Sequence, residues 1–223
     1  MRARALVQGV RTVVGWGVAL DPAPSALIQH ARKQIRTRMR TLRDAFPRAA
    51  LEARSERIVD RVAALPAYER ARALALFFPL AGEVDLRPLD ARARAEGKRV
   101  YYPFMEPRQT GFVTGLARVE DLAELADRGR RFLEPPPEAP RAARGEVDLI
   151  VVPALAVSST GHRLGYGMGF YDATLPDFCP PALAVVVAYD FQLLAELPSL
   201  DHDVAGDHVV TDVRTLDASP PPR

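Results

Sequence analysis

The ten residues from Arg163 to Asp172, Arg-Leu-Gly-Tyr-Gly-Met-Gly-Phe-Tyr-Asp, combine the groups that phosphate chemistry needs. Glycines at 165, 167 and 169 free the backbone to approach a ligand, Arg163 offers charge-assisted donors to phosphate oxygens, and Asp172 offers hard oxygens suited to Mg²⁺. The even spacing matches neither Gly-x-Gly-x-x-Gly nor the Gly-Lys-Ser/Thr phosphate loop, and taken alone it is also compatible with a plain turn. Further candidates lie elsewhere. Arg32, Arg36, Arg40 and Arg43 each follow by one position an apolar residue of a helical stripe, which sets them about 100° round the helix from it. On spacing alone they read as a solvated basic edge; their other reading is a set of donors reaching into a cleft beside the helix. Glu83 follows an apolar run and is read equally well as a ligand contact or as a capping or solvated carboxylate.

Asp201, His202, Asp203, Asp207 and His208 crowd one polar stretch. The histidine spacing is neither helical nor that of a zinc site, so the stretch reads as carboxylates helping to hold Mg²⁺. Covalent catalysis has no candidate: Cys179 lies between Phe178 and two prolines with no base nearby, and no Gly-x-Ser-x-Gly elbow occurs.

Elements must position these groups. The stripe Ile28, Ala31, Ile35, Met39, Leu42, Phe46 predicts a helix from Ser25, as N-cap, to Phe46, ended by Pro47. A second helix is expected from Arg48 to about Leu65, and a third from Leu86 to Glu96. Strands are expected at Leu74–Pro79, Arg99–Pro103, Asp148–Ala154, Leu183–Tyr189 and Asp207–Thr211. Near-continuous apolar runs separated by helix-length segments indicate an α/β fold with a largely parallel sheet covered on both faces. Ligands in such sheets sit beyond the carboxyl ends of the strands. Glu83 and the glycine segment both follow strong strands, the latter by way of the turn Ser158-Ser159-Thr160-Gly161. The run Glu134–Pro140, with four prolines in seven positions, reads as an extended connector.

With 223 residues, 48% of them hydrophobic, the chain can bury one sizeable core. A net charge of +2 argues against nucleic acid or a membrane surface as partner. One cysteine excludes an internal disulfide and suits a reducing cytoplasm. Residues 1–24 read as a loose, poorly ordered extension, with a signal or transit peptide the lesser alternative; 25–212 as the folded domain; and 213–223 as a tail.

The block Arg163–Asp172, preceded by Asp148-Leu-Ile-Val-Val-Pro-Ala-Leu-Ala156, resembles the signature of the 5-formyltetrahydrofolate cyclo-ligase (methenyltetrahydrofolate synthetase) family. Three more blocks agree in order: Arg32-Lys-Gln-Ile-Arg36, Phe78-Pro-Leu-Ala-Gly-Glu-Val-Asp85, and Leu197 to Asp212. The resemblance implies a three-layer sandwich around a Rossmann-like sheet (NagB/RpiA/CoA-transferase-like). It also implies an ATP- and Mg²⁺-dependent ligase that cyclises 5-formyltetrahydrofolate to 5,10-methenyltetrahydrofolate with release of ADP and phosphate. A monomer or weak homodimer would be expected, with small molecules as partners.

Carried over by position, Arg32, Lys33, Arg36 and the segment Arg163, Leu164, Gly165, Tyr166, Gly167, Met168, Gly169, Phe170, Tyr171 would bind ATP. Arg163 and Tyr171 would take catalytic roles. Phe78, Glu83 and the five residues Tyr166 to Phe170 would face the folate, and Asp172 and Asp203 would serve Mg²⁺. The chain differs from the pattern at Leu86, Met168, Phe170 and Ala173, and the aromatic expected shortly before Glu134-Pro135 has no evident counterpart, because Arg130 and Arg131 precede Phe132. A non-catalytic nucleotide-binding protein on the same fold is the alternative; a sugar-phosphate isomerase or dinucleotide enzyme would not need the basic helix.

Overall fold

The computed structural model describes residues 24–109, 111–130 and 132–218. The proposed extension over residues 1–24 therefore lies outside the described residues, apart from Pro24. The chain opens with three helices, α1 (Pro24–Asp44), α2 (Arg48–Ala63) and the short α3 (Pro66–Arg70), followed by β1 (Ala73–Ala75), α4 (Arg87–Ala95), β2 (Arg99–Pro107) and β3 (Phe112–Arg118). Next come β4 (Ala126–Asp127), β5 (Leu133–Glu134), β6 (Leu149–Pro153), β7 (Ala156–Ser158) and β8 (Arg163–Leu164). The order closes with α5 (Phe170–Phe178), β9 (Leu183–Val187), β10 (Leu193–Leu194), β11 (His208–Val210) and β12 (Thr215–Asp217).

Seven strands form the central sheet in the order β12-β11-β9-β6-β1-β2-β3. The inner pairs are parallel, whereas the two edge strands β3 and β12 are antiparallel to their neighbours. Period-two alternation divides the apolar residues between two cores. Leu149, Val151, Val185 and Val187 face α2 and α4 together with Ile58, Val62 and Leu89. Ile150, Val152, Ala184 and Val186 face the other way, onto Leu175 and Phe178 of α5. This is the three-layer arrangement that unbroken apolar strands require, since a strand buried on both faces cannot alternate with polar residues.

Three expectations need correction. The strand expected at Leu74–Pro79 is only three residues long, so Leu76 to Pro79 already belongs to the loop that reaches the ligand edge. The strand expected to stop at Pro103 runs to Pro107 and pairs with β3 from Tyr101↔Arg118 to Pro107↔Phe112. Part of the expected tail is the sheet edge β12, paired with β11 from His208↔Asp217 to Val210↔Thr215. The proline-rich connector is also more fixed than its composition suggests. Glu134 is buried, accepts the Met105 backbone N–H at 2.6 Å and pairs with Arg130 at 2.7 Å.

A small second sheet, β10-β7-β8, carries the glycine segment. Its β7–β8 hairpin turns through Ser158–Gly161, as the sequence indicates, and Gly161 has φ +79. A side chain at Gly161 would come within 2.3 Å of the Gly206 carbonyl oxygen, so the turn admits only glycine. Helix α1 docks on this sheet through Met39, which packs with Ala156 and Leu164.

Candidate active site

The docking of α1 decides where its arginines go. Leu42 is 38% exposed, whereas Arg32 and Arg43 are each only 6% exposed, so the buried arc is rotated away from the expected apolar stripe. The seam follows Arg32, Arg36, Met39 and Arg43, at spacings of four, three and four, which is one helix face. Each arginine on it finds a partner. Arg32 donates through Nε to the Pro198 carbonyl oxygen at 2.9 Å and through Nη2 to Asp203 Oδ2. Arg36 Nε donates to the Gly165 carbonyl oxygen at 2.8 Å. Arg43 Nη1 donates to the Tyr166 hydroxyl at 3.0 Å. The solvated-edge reading is thus overturned for Arg32 and Arg43, because partners across the cleft offset the cost of burying their charge. Lys33, one position further round, is exposed and does not line the cavity.

Opposite α1 lies the glycine segment. From β8 it crosses a loop in which Gly167 and Gly169 take left-handed conformations, φ +96 and +68, and Gly169 forms the N-cap of α5. The amides of the first turn of α5 have no intrahelical acceptor and carry the positive end of the helix dipole. Arg163 is buried on this wall, donating to the Val204 carbonyl oxygen and, at 2.9 Å, to Asp172 Oδ1, with its guanidinium 5.8 Å from the centre of the Tyr171 ring. Burial lowers the Arg163 pKa below its usual value, and the Asp172 carboxylate opposes that fall.

The third wall is the loop after β1. Glu83 Oε2 accepts the Leu80 backbone N–H at 2.8 Å, and the Tyr166 hydroxyl lies near enough to the same carboxylate to favour its charged form. Burial pushes the Glu83 pKa up, while the Leu80 amide, Arg43 and Tyr166 pull it back. From behind, the Tyr189 hydroxyl donates to the Glu83 carbonyl oxygen at 3.0 Å and lies 3.1 Å from Ser55 Oγ. Burial raises the Tyr166 and Tyr171 hydroxyls too, so both stay protonated donors near neutrality.

One cavity joins these walls. Its lining includes Arg32, Arg36, Phe78, Glu83, Phe132, the whole segment Arg163–Asp172, and Asp203. Of the residues given ATP, folate or Mg²⁺ roles from the resemblance, Lys33 alone falls outside it, while Arg40, Arg43, Asp201, His202, Asp207 and His208 also lie off its lining. Phe132 closes the apolar side, edge-to-face with Phe170 at 6.0 Å, so the aromatic with no evident counterpart in the sequence is present after all. Tyr189 and Phe132 are the residues sequence reasoning did not place at the site, and Arg43 was named only as one of a row of arginines read first as a solvated edge. The four-three-four spacing held a signal for Arg43, whereas Tyr189 is brought in only by tertiary packing.

Asp172 and Asp203 both face the cavity. One oxygen of each is already engaged: Oδ1 of Asp172 by Arg163 and the Val204 amide, Oδ2 of Asp203 by Arg32 and the Leu200 amide. Among the described residues no group of three or more His, Cys, Asp or Glu could hold a metal ion. Two carboxylates with one further oxygen each suit an ion carried in on phosphate, which keeps waters and phosphate oxygens as its other ligands. His208 plays no part here, since its Nδ1 lies 2.9 Å from Asp217 Oδ1.

A family model for 5-formyltetrahydrofolate cyclo-ligases matches residues 28–212. The chain belongs to this family. A cyclo-ligase from Mycolicibacterium smegmatis is 34% identical over 190 residues, covering 83% of this chain and 96% of that protein. The Escherichia coli K12 cyclo-ligase is 30% identical over 158 residues, covering 70% and 86%. In three dimensions the 5,10-methenyltetrahydrofolate synthetase of Aquifex aeolicus superposes with a TM-score of 0.72 at 29% identity, covering 86% of this chain and 95% of that one. The family match takes in all three cavity walls, from α1 to the strand before β12.

Proposed function

We infer that this chain is a ligase that uses ATP to close 5-formyltetrahydrofolate into 5,10-methenyltetrahydrofolate. The observation carrying the reading is the single cavity in which arginines from α1 and β8 face an aromatic and carboxylate wall across the glycine segment. Arg32, Arg36 and Arg163, with the amides at the start of α5, form a donor set for the triphosphate. Phe78, Phe132 and Phe170 offer flat apolar faces for a pterin, and Glu83 is an acceptor for its ring N–H groups.

The two ligands would meet along Tyr166–Phe170. There the formyl oxygen attacks the γ-phosphorus and ADP leaves. N10 then attacks the activated carbon, and its proton and the phosphate depart to leave the methenyl bridge. No protein nucleophile is needed, because orientation and charge neutralisation carry phosphoryl transfer. Arg163, partly desolvated, would neutralise charge building on the transferred phosphoryl group, and the protonated Tyr171 hydroxyl would donate beside it. Mg²⁺ bound with the nucleotide supplies charge neutralisation between its phosphates; Asp172 and Asp203 would hold it through their second oxygens.

A non-catalytic nucleotide binder would have no use for Glu83 and the aromatic wall. The test is to mix the protein with ATP, Mg²⁺ and 5-formyltetrahydrofolate and follow the ultraviolet absorbance of the methenyl product. ATP-dependent growth of that band is expected, and folded protein that gives none would refute the assignment.

A further inference from the structure

Arg43 is the most deeply placed charge in the site that no role above uses. It lies at the C-terminal end of α1, 6% exposed, and its Nε is buried with no hydrogen-bond partner. Gly82, at φ +75, makes room for it: a Cβ there would come within 3.0 Å of that Nε. Its Nη1 donates to the Tyr166 hydroxyl at 3.0 Å, and that hydroxyl in turn meets the Glu83 carboxylate. Arg40 stands on the same ring, its guanidinium 5.3 Å from the Tyr166 centroid.

We propose that Arg43 is a positioning residue for the folate half of the reaction, holding Tyr166 and Glu83 in one hydrogen-bonded relay that ties the folate wall to the helix bearing the phosphate arginines. The proposal rests on the cyclo-ligase reading of the cavity. Donation runs from guanidinium to hydroxyl to carboxylate, so Arg43 occupies the acceptor side of the Tyr166 hydroxyl, turns its proton toward Glu83 and strengthens it as a donor. Because Arg32 and Arg36 reach the phosphate side from the same rigid helix, a shift of α1 on nucleotide binding would move Arg43 with them.

Charge works in the same direction. The groups facing Glu83 are Arg43 from α1, Tyr166 from the glycine segment, Tyr171 from α5 and Tyr189 from the loop after β9. Arg43 is the only cation among these, and it opposes the upward push of burial on the Glu83 carboxyl. Its loss would therefore extend the protonated form of Glu83 to higher pH.

The test compares Arg43→Met, Arg43→Lys and Tyr166→Phe with the parent enzyme in the cyclisation assay, varying ATP and folate separately and repeating each across pH. Arg43→Met is expected to raise KM for 5-formyltetrahydrofolate about tenfold, with KM for ATP within about twofold. The acidic limb of the folate kcat/KM profile should move to higher pH, with partial return in Arg43→Lys. Arg43→Met combined with Tyr166→Phe should cost little more than either alone, because both break one relay. Equal rises in the two KM values, an unmoved acidic limb or full additivity would overturn the proposal. Should Arg43→Met fold poorly, Tyr166→Phe carries the same KM and pH predictions. An inactive parent enzyme would instead refute the cyclo-ligase reading itself.

Discussion

Replacing Glu83 by glutamine should lower activity and raise stability at once. The substitution keeps the shape of the side chain, and the amide oxygen can still accept the Leu80 N–H that Glu83 Oε2 accepts at 2.8 Å. What disappears is a carboxylate whose pKa burial raises above 4.5. A carboxyl raised in the folded state binds more protons there than in the unfolded chain, so stability falls as pH climbs from its ordinary value through its folded one. Glu83→Gln removes that loss. The variant is therefore expected to melt at a higher temperature than the parent above the folded pKa, a difference that vanishes below the ordinary carboxyl range, at about pH 4.

The catalytic effect has the opposite sign. A carboxylate accepting ligand N–H groups makes charge-assisted bonds, and an amide in its place turns one donor pair head to head. A penalty of about 3 kcal/mol corresponds to a fall of roughly 100-fold in kcat/KM for the folate. Thermal melts at several pH values and steady-state kinetics on the same preparation measure both. Parallel loss of Tm and activity would refute the reasoning, since it would make Glu83 a structural carboxylate; unchanged kinetics would refute its place at the folate.

Further outcomes are expected at other positions. Asp172→Asn keeps acceptors for Arg163 and the Val204 amide but weakens a Mg²⁺ ligand, so KM for Mg²⁺-ATP should rise at least about tenfold while Tm falls by only a few degrees; equal proportional losses in a Mg²⁺ titration and a melt would return Asp172 to a purely structural role. Phe132→Ala should raise KM for the folate several-fold and leave KM for ATP unchanged, as loss of one aromatic wall worth about 1 kcal/mol requires. Gly161→Ala should cost more than about 3 kcal/mol in denaturant unfolding, because its Cβ would lie 2.3 Å from the Gly206 carbonyl oxygen in a left-handed turn; a loss under about 1 kcal/mol would show that the turn can shift.

The central strands were legible because burial on both faces leaves no room for polar residues, and Leu149–Pro153 and Leu183–Val187 read as such runs. The edges were not. In β3, Phe112 and Val113 are exposed while Leu116 and Ala117 are buried, and β12 spans only three residues, so neither shows a clean alternation. At the site, local spacing identified the glycine segment and the arginine row and marked Glu83 and Asp203 as candidates, and the four-block resemblance chose among their readings. The burial of Arg32 and Arg43 was hidden because apolar periodicity ranks a helix face by hydrophobicity, and here carbonyls and carboxylates across the cleft outweigh Leu42. Phe132 was set aside because two arginines precede it and its partner Phe170 lies far along the chain.

The central claim is that one cavity brings the formyl oxygen to the γ-phosphorus of ATP. Isotope transfer tests it most directly. Labelling the formyl group of 5-formyltetrahydrofolate with ¹⁸O and analysing the released phosphate by mass spectrometry should recover one ¹⁸O per phosphate for each methenyl product formed. Unlabelled phosphate, released by attack of water while the methenyl product still appears, would contradict the account.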